Sequence, residues 1–343
     1  MMRRNKRGDV LWLAAIALCC VLLTACNGAM KPGSTTNDTI VLAPAPDFNA
    51  DSAYSYVEMQ CSFGARVPNT EAHRLCGDWL VGKFESFGAQ VREQRAEVSA
   101  FDGTVLSVRN VIASYNLSSE RRLLVCGHWD SRPWADQDAD REKRLMPVLA
   151  ANDAASDVAV MLEMARLINI NKVKIGVDFI CFDAEDYGAP EWSDTLLSDG
   201  GWCLGSQYWA ANLHTYGYKP LFGILLDMVG GDGTIFACES YSLRYAPQVV
   251  DYVWATAAQL GYGEVFVRQE RGYITDDHVA VNEVARIPCI DIVAYYPRGA
   301  SSFGPTWHTS DDTPAHISRS VLEAAGQTVL QVIYNLNSSD DTK

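Results

Sequence analysis

Several stretches of this 343-residue sequence put carboxylates and imidazoles where an apolar core would not choose them. A continuous apolar run at 123–126 leads into His128-Trp129-Asp130. A second strand-like stretch, at 173–182 and mainly apolar, runs on into Asp183-Ala184-Glu185-Asp186, and a third, at 221–226, ends at Asp227. Asp153 stands just before an amphipathic stretch, and His308 sits in a loop behind Gly304 and Pro305. Carboxylate and imidazole without thiolate suit Zn²⁺ in a catalytic site, with one position left for water or substrate. One Asp at a strand end is ordinarily a turn or cap residue, so Asp153 or Asp227 alone carries little weight. Glu185-Asp186 carries more, because two adjacent carboxylates at the end of an apolar run call for a cation or a raised pKa to offset their repulsion. His73 and His214 fall on expected helices away from these clusters and read as surface or structural residues. His316 reads as a helix-start residue, and Asp157 as part of the solvent face or first turn of its helix.

Convergence of these groups requires a particular scaffold. Short, continuous apolar runs are the signature of strands buried on both faces. The run at 123–126 is one, and the mainly apolar stretches at 173–182, 221–226 and 287–293 read as three more buried strands, preceded by two extended stretches at 91–98 and 106–115. Asn69 or Thr70 is placed to cap a helix carrying Leu75, Trp79, Leu80, Phe84 and Phe87, stopped by Gly88. Val158, Met161, Leu162, Ala165 and Ile168 recur at helical spacing, as do Leu322, Ala325, Val329, Ile333 and Leu336 near the C-terminus. Strands alternating with helices predict an α/β fold, with a largely parallel or mixed sheet covered on both faces. In such sheets ligands collect outside the carboxyl ends of the strands, where the acidic clusters stand.

Arg3, Arg4, Lys6 and Arg7 precede an apolar run from Val10 to Ala25, the layout of an export signal. It ends in Leu23-Thr24-Ala25-Cys26, which resembles a bacterial lipoprotein cleavage box and implies loss of residues 1–25 and a lipid on Cys26. The alternative, a membrane anchor, has only about 16 apolar residues against the ~20 a span needs. Residues 26–50, rich in Gly, Pro, Ser, Thr and Asn, read as a flexible tether, and 51–343 as one domain. The expected location is thus the periplasm-facing or outer surface of a membrane, held only by the lipid. A formal charge of −14 argues against nucleic acid as a partner. Seven cysteines follow Cys26, with no CxxC spacing. Cys61–Cys76 and Cys203–Cys238 are conceivable disulfides, while Cys126, Cys181 and Cys289 read as buried small hydrophobes.

Taken together and in order, His128-Trp129-Asp130, Ala151-Asn152-Asp153-Ala154-Ala155-Ser156, Phe182-Asp183-Ala184-Glu185-Asp186 and Trp307-His308-Thr309 resemble the co-catalytic zinc aminopeptidase family, from about residue 55 onward. The resemblance implies a three-layer α/β/α sandwich on a mixed sheet, ligand positions at His128, Asp153, Asp186, Asp227 and His308, and an acid/base at Glu185. A branch of that fold, the glutaminyl cyclases, is the better match. The segment Trp192…Asp194-Thr195-Leu196…Gly205-Ser206-Gln207, the triplet Asp276-Asp277-His278 and Trp307 directly before His308 resemble cyclase motifs. The stretch from Trp202 to Trp209 is similar to bacterial cyclases of the animal type. This branch implies a single zinc on Asp153, Asp186 and His308, with Glu185, Asp227 and Asp276 in the catalytic hydrogen-bond network. Trp192 and Trp307 would line the substrate pocket, and His128 and Asp130 would stand beside the metal or hold a second one. The expected substrates are peptides or proteins with N-terminal glutamine, converted to pyroglutamate with release of ammonia by a monomeric enzyme. Asp186 stands where animal cyclases have Glu, a shorter arm that bears on the metal count. The alternative activity is a two-zinc aminopeptidase, and a third is a substrate-binding lipoprotein on a degenerate enzyme fold, against which the intact Glu185 and ligand set argue.

Overall fold

The computed structural model describes residues 40–193 and 201–338. The export segment, Cys26 and Asp194-Thr195-Leu196 lie outside the described residues. Among the described residues no helix is long and apolar enough to cross a membrane.

Eight strands form one mixed sheet. They are β1 (Gln90–Ser99), β2 (Val105–Tyr115), β3 (Arg122–His128), β4 (Gly176–Phe182), β5 (Gly223–Asp227), β6 (Ile235–Cys238), β7 (Phe266–Glu270) and β8 (Cys289–Tyr295). Their spatial order is β1-β2-β4-β3-β5-β8-β6-β7. The centre, β4-β3-β5-β8, is parallel. Flanking it, β1–β2, β2–β4 and β6–β8 pair antiparallel, while β6–β7 is parallel. Every residue of β4 and β5 is buried, as expected of mainly apolar strands covered on both faces.

The helices are α1 (Ala50–Ser62), α2 (Glu71–Ser86), α3 (Asp157–Ile170), α4 (Leu204–Ala211), α5 (Ser240–Tyr245), α6 (Pro247–Gln259), α7 (Asp277–Glu283) and α8 (Arg319–Ser338). Thr70 caps α2, its hydroxyl accepting the His73 N–H, and Gly88 follows with φ 77°, a conformation that costs glycine little. One face of the sheet packs on α3 and α8 through Val158, Leu162, Leu322, Val329 and Ile333. The other face packs through Ile112, Leu124, Ile180 and Leu225 on Trp209 of α4 and Val281 of α7. These are the three layers expected from the sequence.

Three expectations are corrected. The ordered domain starts before residue 50, because Ala43 N–H donates to Asn335 Oδ1 and the buried Phe48 ring packs against Gly326 of α8. All seven cysteines of the described residues are free. Cys203 turns its Sγ to Glu185, whereas Cys238 lies on β6 beside Val267, so that pairing is not made. Asp157 is in the first turn of α3 but wholly buried, not on the solvent face.

Candidate active site

The parallel strands deliver their polar ends to one place. His128 ends β3, Glu185 and Asp186 follow β4, and Asp227 ends β5. Asp153 sits at a non-helical kink within Ala151–Ser156, ahead of α3, and its peptide bond to Ala154 is cis. That kink is held by Asp312, whose two oxygens accept the N–H groups of Asn152 and Asp153 at 2.8 and 3.1 Å. His308 comes from the loop after β8 with φ 54°.

Asp153, Asp186 and His308 are buried and present one ligand atom each within 4.8 Å of one another. His308 Nε2 faces Asp186 Oδ1 at 3.2 Å and Asp153 Oδ2 at 3.6 Å. Its other nitrogen faces Asp136 Oδ1 at 3.5 Å, the carboxylate–imidazole arrangement that orients metal-bound histidines. Asp186 Oδ1 also receives Arg132 Nη1 at 3.2 Å, while Asp186 Oδ2 is buried with no partner. An orphaned buried carboxylate oxygen is costly unless a cation satisfies it. Two carboxylates and an imidazole with an unsatisfied oxygen between them fit zinc.

His128, Asp153 and Asp227 form a second such group. His128 Nε2 lies 2.9 Å from Asp153 Oδ1 and 3.8 Å from Asp227 Oδ1, the latter oxygen without a hydrogen-bond partner. Burial works against the charged imidazole of His128, but Asp130, Asp153 and Asp227 raise its pKa well above the ordinary value. Asp130 contacts no candidate metal position. Its oxygens accept the backbone N–H groups of Glu185 and Asp186 at 3.1 and 3.2 Å and face His128 Nδ1 at 3.3 Å.

Glu185 and Asp276 have carboxylate oxygens within 4.8 Å of one another. Burial, with Asp276 and Asp186 nearby and His128 opposing, pushes the Glu185 carboxyl well up. Burial and then Asp227 push Asp276 up to about 7. Both line a cavity of about 270 Å³, together with the metal group, Asp227, Trp202, Phe303 and Trp307 among others. Trp307 stacks on His308 at 3.9 Å, and Trp202 lies parallel to the same imidazole at 6.0 Å.

The fold therefore gathers every expected metal and acid/base residue, and Trp307 with them. Trp192 is different: it is 46% exposed and absent from the described cavity lining, where Trp202 takes the place expected of it. Trp202 also carries the Arg132 guanidinium over its ring at 4.6 Å. Arg132, Asp136 and Asp312 escape a reading of the sequence, since each lies in a loop without periodicity and its role depends on where the loop lands. His73, expected to be structural, is buried and binds Asp183 at 2.8 Å, stacked on Trp129. His214 lies after the end of α4 rather than on a helix, its ring tilted against that of Tyr218 with centroids 4.4 Å apart.

Comparison with known proteins agrees with this geometry. Residues 110–333 match the model of Peptidase family M28. The structure of Bacteroides thetaiotaomicron glutaminyl cyclase bound to N-acetylhistamine is 50% identical, with TM-score 0.84 over 85% of this chain and 99% of that one. A leucine aminopeptidase precursor from the same organism is 49% identical, with TM-score 0.83 over 86% of this chain and 99% of that one. Aminopeptidase YwaD of Bacillus subtilis is 27% identical over 277 residues, which are 78% of this chain and 53% of that protein. The chain thus spans about half the length of that curated relative. It belongs to peptidase family M28, in the branch that holds the bacterial glutaminyl cyclases.

Proposed function

We propose that this protein is a zinc-dependent glutaminyl-peptide cyclotransferase, converting N-terminal glutamine of peptides to pyroglutamate and ammonia. The observation that carries the reading is the Glu185–Asp276 pair facing an aromatic-walled cavity beside the metal group. Cyclisation needs one proton moved from the attacking α-amine to the departing amide nitrogen. A half-buried Glu185 beside a buried Asp276, both with raised pKa values, suits both halves of that transfer near neutral pH.

Asp153, Asp186 and His308 would hold a single zinc, which when bound supplies Lewis-acid polarisation of the γ-carboxamide oxygen. The side chain of the substrate folds back so that its α-amine meets the carbonyl carbon of the γ-carboxamide, and the cavity walls Trp202, Phe303 and Trp307 hold that compact shape. Glu185 accepts a proton from the amine as the new C–N bond forms. It returns that proton to the amide nitrogen as the old C–N bond breaks and ammonia leaves. Asp276 and Asp227 hydrogen-bond the nitrogen and the Glu185 carboxyl. Apolar walls exclude water, whose entry would favour hydrolysis.

The second reading, a two-zinc aminopeptidase, is favoured by the group His128, Asp153 and Asp227. Against it, the Asp130 partner that orients His128 is also committed to the Glu185 and Asp186 backbone. Incubation with a Gln-initiated dipeptide tests the choice: ammonia release with one bound zinc is expected, and free amino acids without ammonia would sink the cyclase reading. The same reading includes export and a lipid on Cys26, supported by the basic-then-apolar N-terminus and its Leu-Thr-Ala-Cys end.

A further inference from the structure

Cys203 directly precedes α4 with φ 56°, an uncommon conformation for a residue other than glycine. The backbone on either side ties it to the loop that carries Glu185. Its N–H donates to the Glu185 carbonyl at 2.9 Å, and the Leu204 N–H donates to the Ala184 carbonyl at 3.0 Å. Gly205 allows this approach, because a Cβ there would collide with the Asp183 carbonyl oxygen. So held, the buried Cys203 side chain has its Sγ 3.1 Å from Glu185 Oε1. The thiol is not needed to fill a disulfide, since every cysteine of the described residues is free.

We propose that Cys203 is a positioning residue for Glu185: its S–H holds Oε1 and leaves the second carboxylate oxygen to carry the proton. This rests on the reading of Glu185 as the acid/base. A carboxylate that must face first one nitrogen and then another loses rate if it rotates between rotamers, and a fixed donor on one oxygen limits that rotation. A thiol is a weak donor, so it orients the group without competing strongly for the oxygen that carries the proton.

The test is a series at position 203 in the zinc-loaded protein, assayed for ammonia from a Gln-initiated dipeptide. Cys203→Ala, which removes the donor, should lower kcat about tenfold or more with KM within about twofold, as expected when a transition-state interaction alone is removed. Zinc content should stay at the wild-type level. Cys203→Ser restores a donor and should recover most of kcat, whereas Cys203→Val, of similar size and without a donor, should not. A purely structural thiol would behave oppositely, with Val tolerated better than Ser in this buried place. Equal kcat in wild type and Cys203→Ala, or equal loss in Ser and Val, overturns the proposal; the Ser–Val comparison decides if the alanine protein fails to fold. Wild-type protein that releases no ammonia overturns the cyclase reading instead. The series is then scored on amino-acid release from the dipeptide, with the same outcomes, because Glu185 is the base in that reaction too.

Discussion

The Asp130 carboxylate accepts the Glu185 backbone N–H at 3.1 Å, and its other oxygen accepts the next N–H, that of Asp186, at 3.2 Å. One buried side chain just beyond β3 thereby fixes the peptide after β4 that bears both the proposed acid/base and a proposed metal ligand. Asp130→Ala would strand two buried N–H groups, each costing about 1–3 kcal/mol. Denaturant unfolding should show a loss of about 3 kcal/mol in total, and zinc affinity should fall about tenfold or more as the ligand loses its support. Unchanged stability and zinc affinity would show that the clamp is dispensable.

Glu185→Gln keeps the shape and removes the proposed proton carrier. Turnover should drop by about 10²- to 10⁴-fold, the usual contribution of general acid–base catalysis. Metal analysis of the same preparation should find zinc still bound, since Glu185 is outside the Asp153–Asp186–His308 group. Appreciable residual turnover would reassign the proton transfer.

The two tryptophans can be separated by kinetics. Trp202 borders the cavity and lies parallel to the His308 ring, while Trp192 is 46% exposed and borders neither. Trp202→Ala should reduce kcat/KM by about tenfold or more, because it strips an apolar wall from the substrate cavity. Trp192→Ala should stay within about twofold. The reverse ranking would mean that Trp192 turns inward when substrate binds.

Without metal, the buried carboxyls set the pH response. Burial and then Asp227 push Asp276 up to about 7, and burial and then Asp153 push Asp312 up to about 7, both from 3.8. The folded chain therefore holds more protons than the unfolded chain between those values. The stability linked to these groups is complete below about pH 4 and is lost as pH rises through about 7. His128 and His308, raised by neighbouring carboxylates against the effect of burial, act in the same direction. The melting temperature of chelator-treated protein should fall between about pH 5 and pH 8, and added zinc at the upper end should restore it. A flat or rising melting temperature would contradict this.

Much of the scaffold is legible in the sequence because it rests on local patterning. Apolar runs at β3, β4, β5 and β8 and the 3.6-residue period of α3 and α8 depend on burial alone, and they lie where expected. Helix α1 is not legible in the same way, since Ala50–Ser62 has no strong apolar face and is held by tertiary contacts of Val57, Gln60 and Cys61. Strands β6 and β7 are four and five residues long, and β7 is mostly exposed, so neither offers a run long enough to recognise.

The sequence by itself determined the chemistry available: which carboxylates and imidazoles stand at strand ends, and the family whose order of motifs they share. Only the tertiary structure decided which of them work together. Asp130 proved to be a backbone clamp, Trp202 rather than Trp192 the described aromatic wall, and Cys203 a contact of Glu185. The reason is physical. Strand ends are set by short-range burial, which a sequence displays. The loops that carry Asp136, Trp202, Cys203 and Asp312 are placed by hydrogen bonds to partners far away in the chain, which it does not.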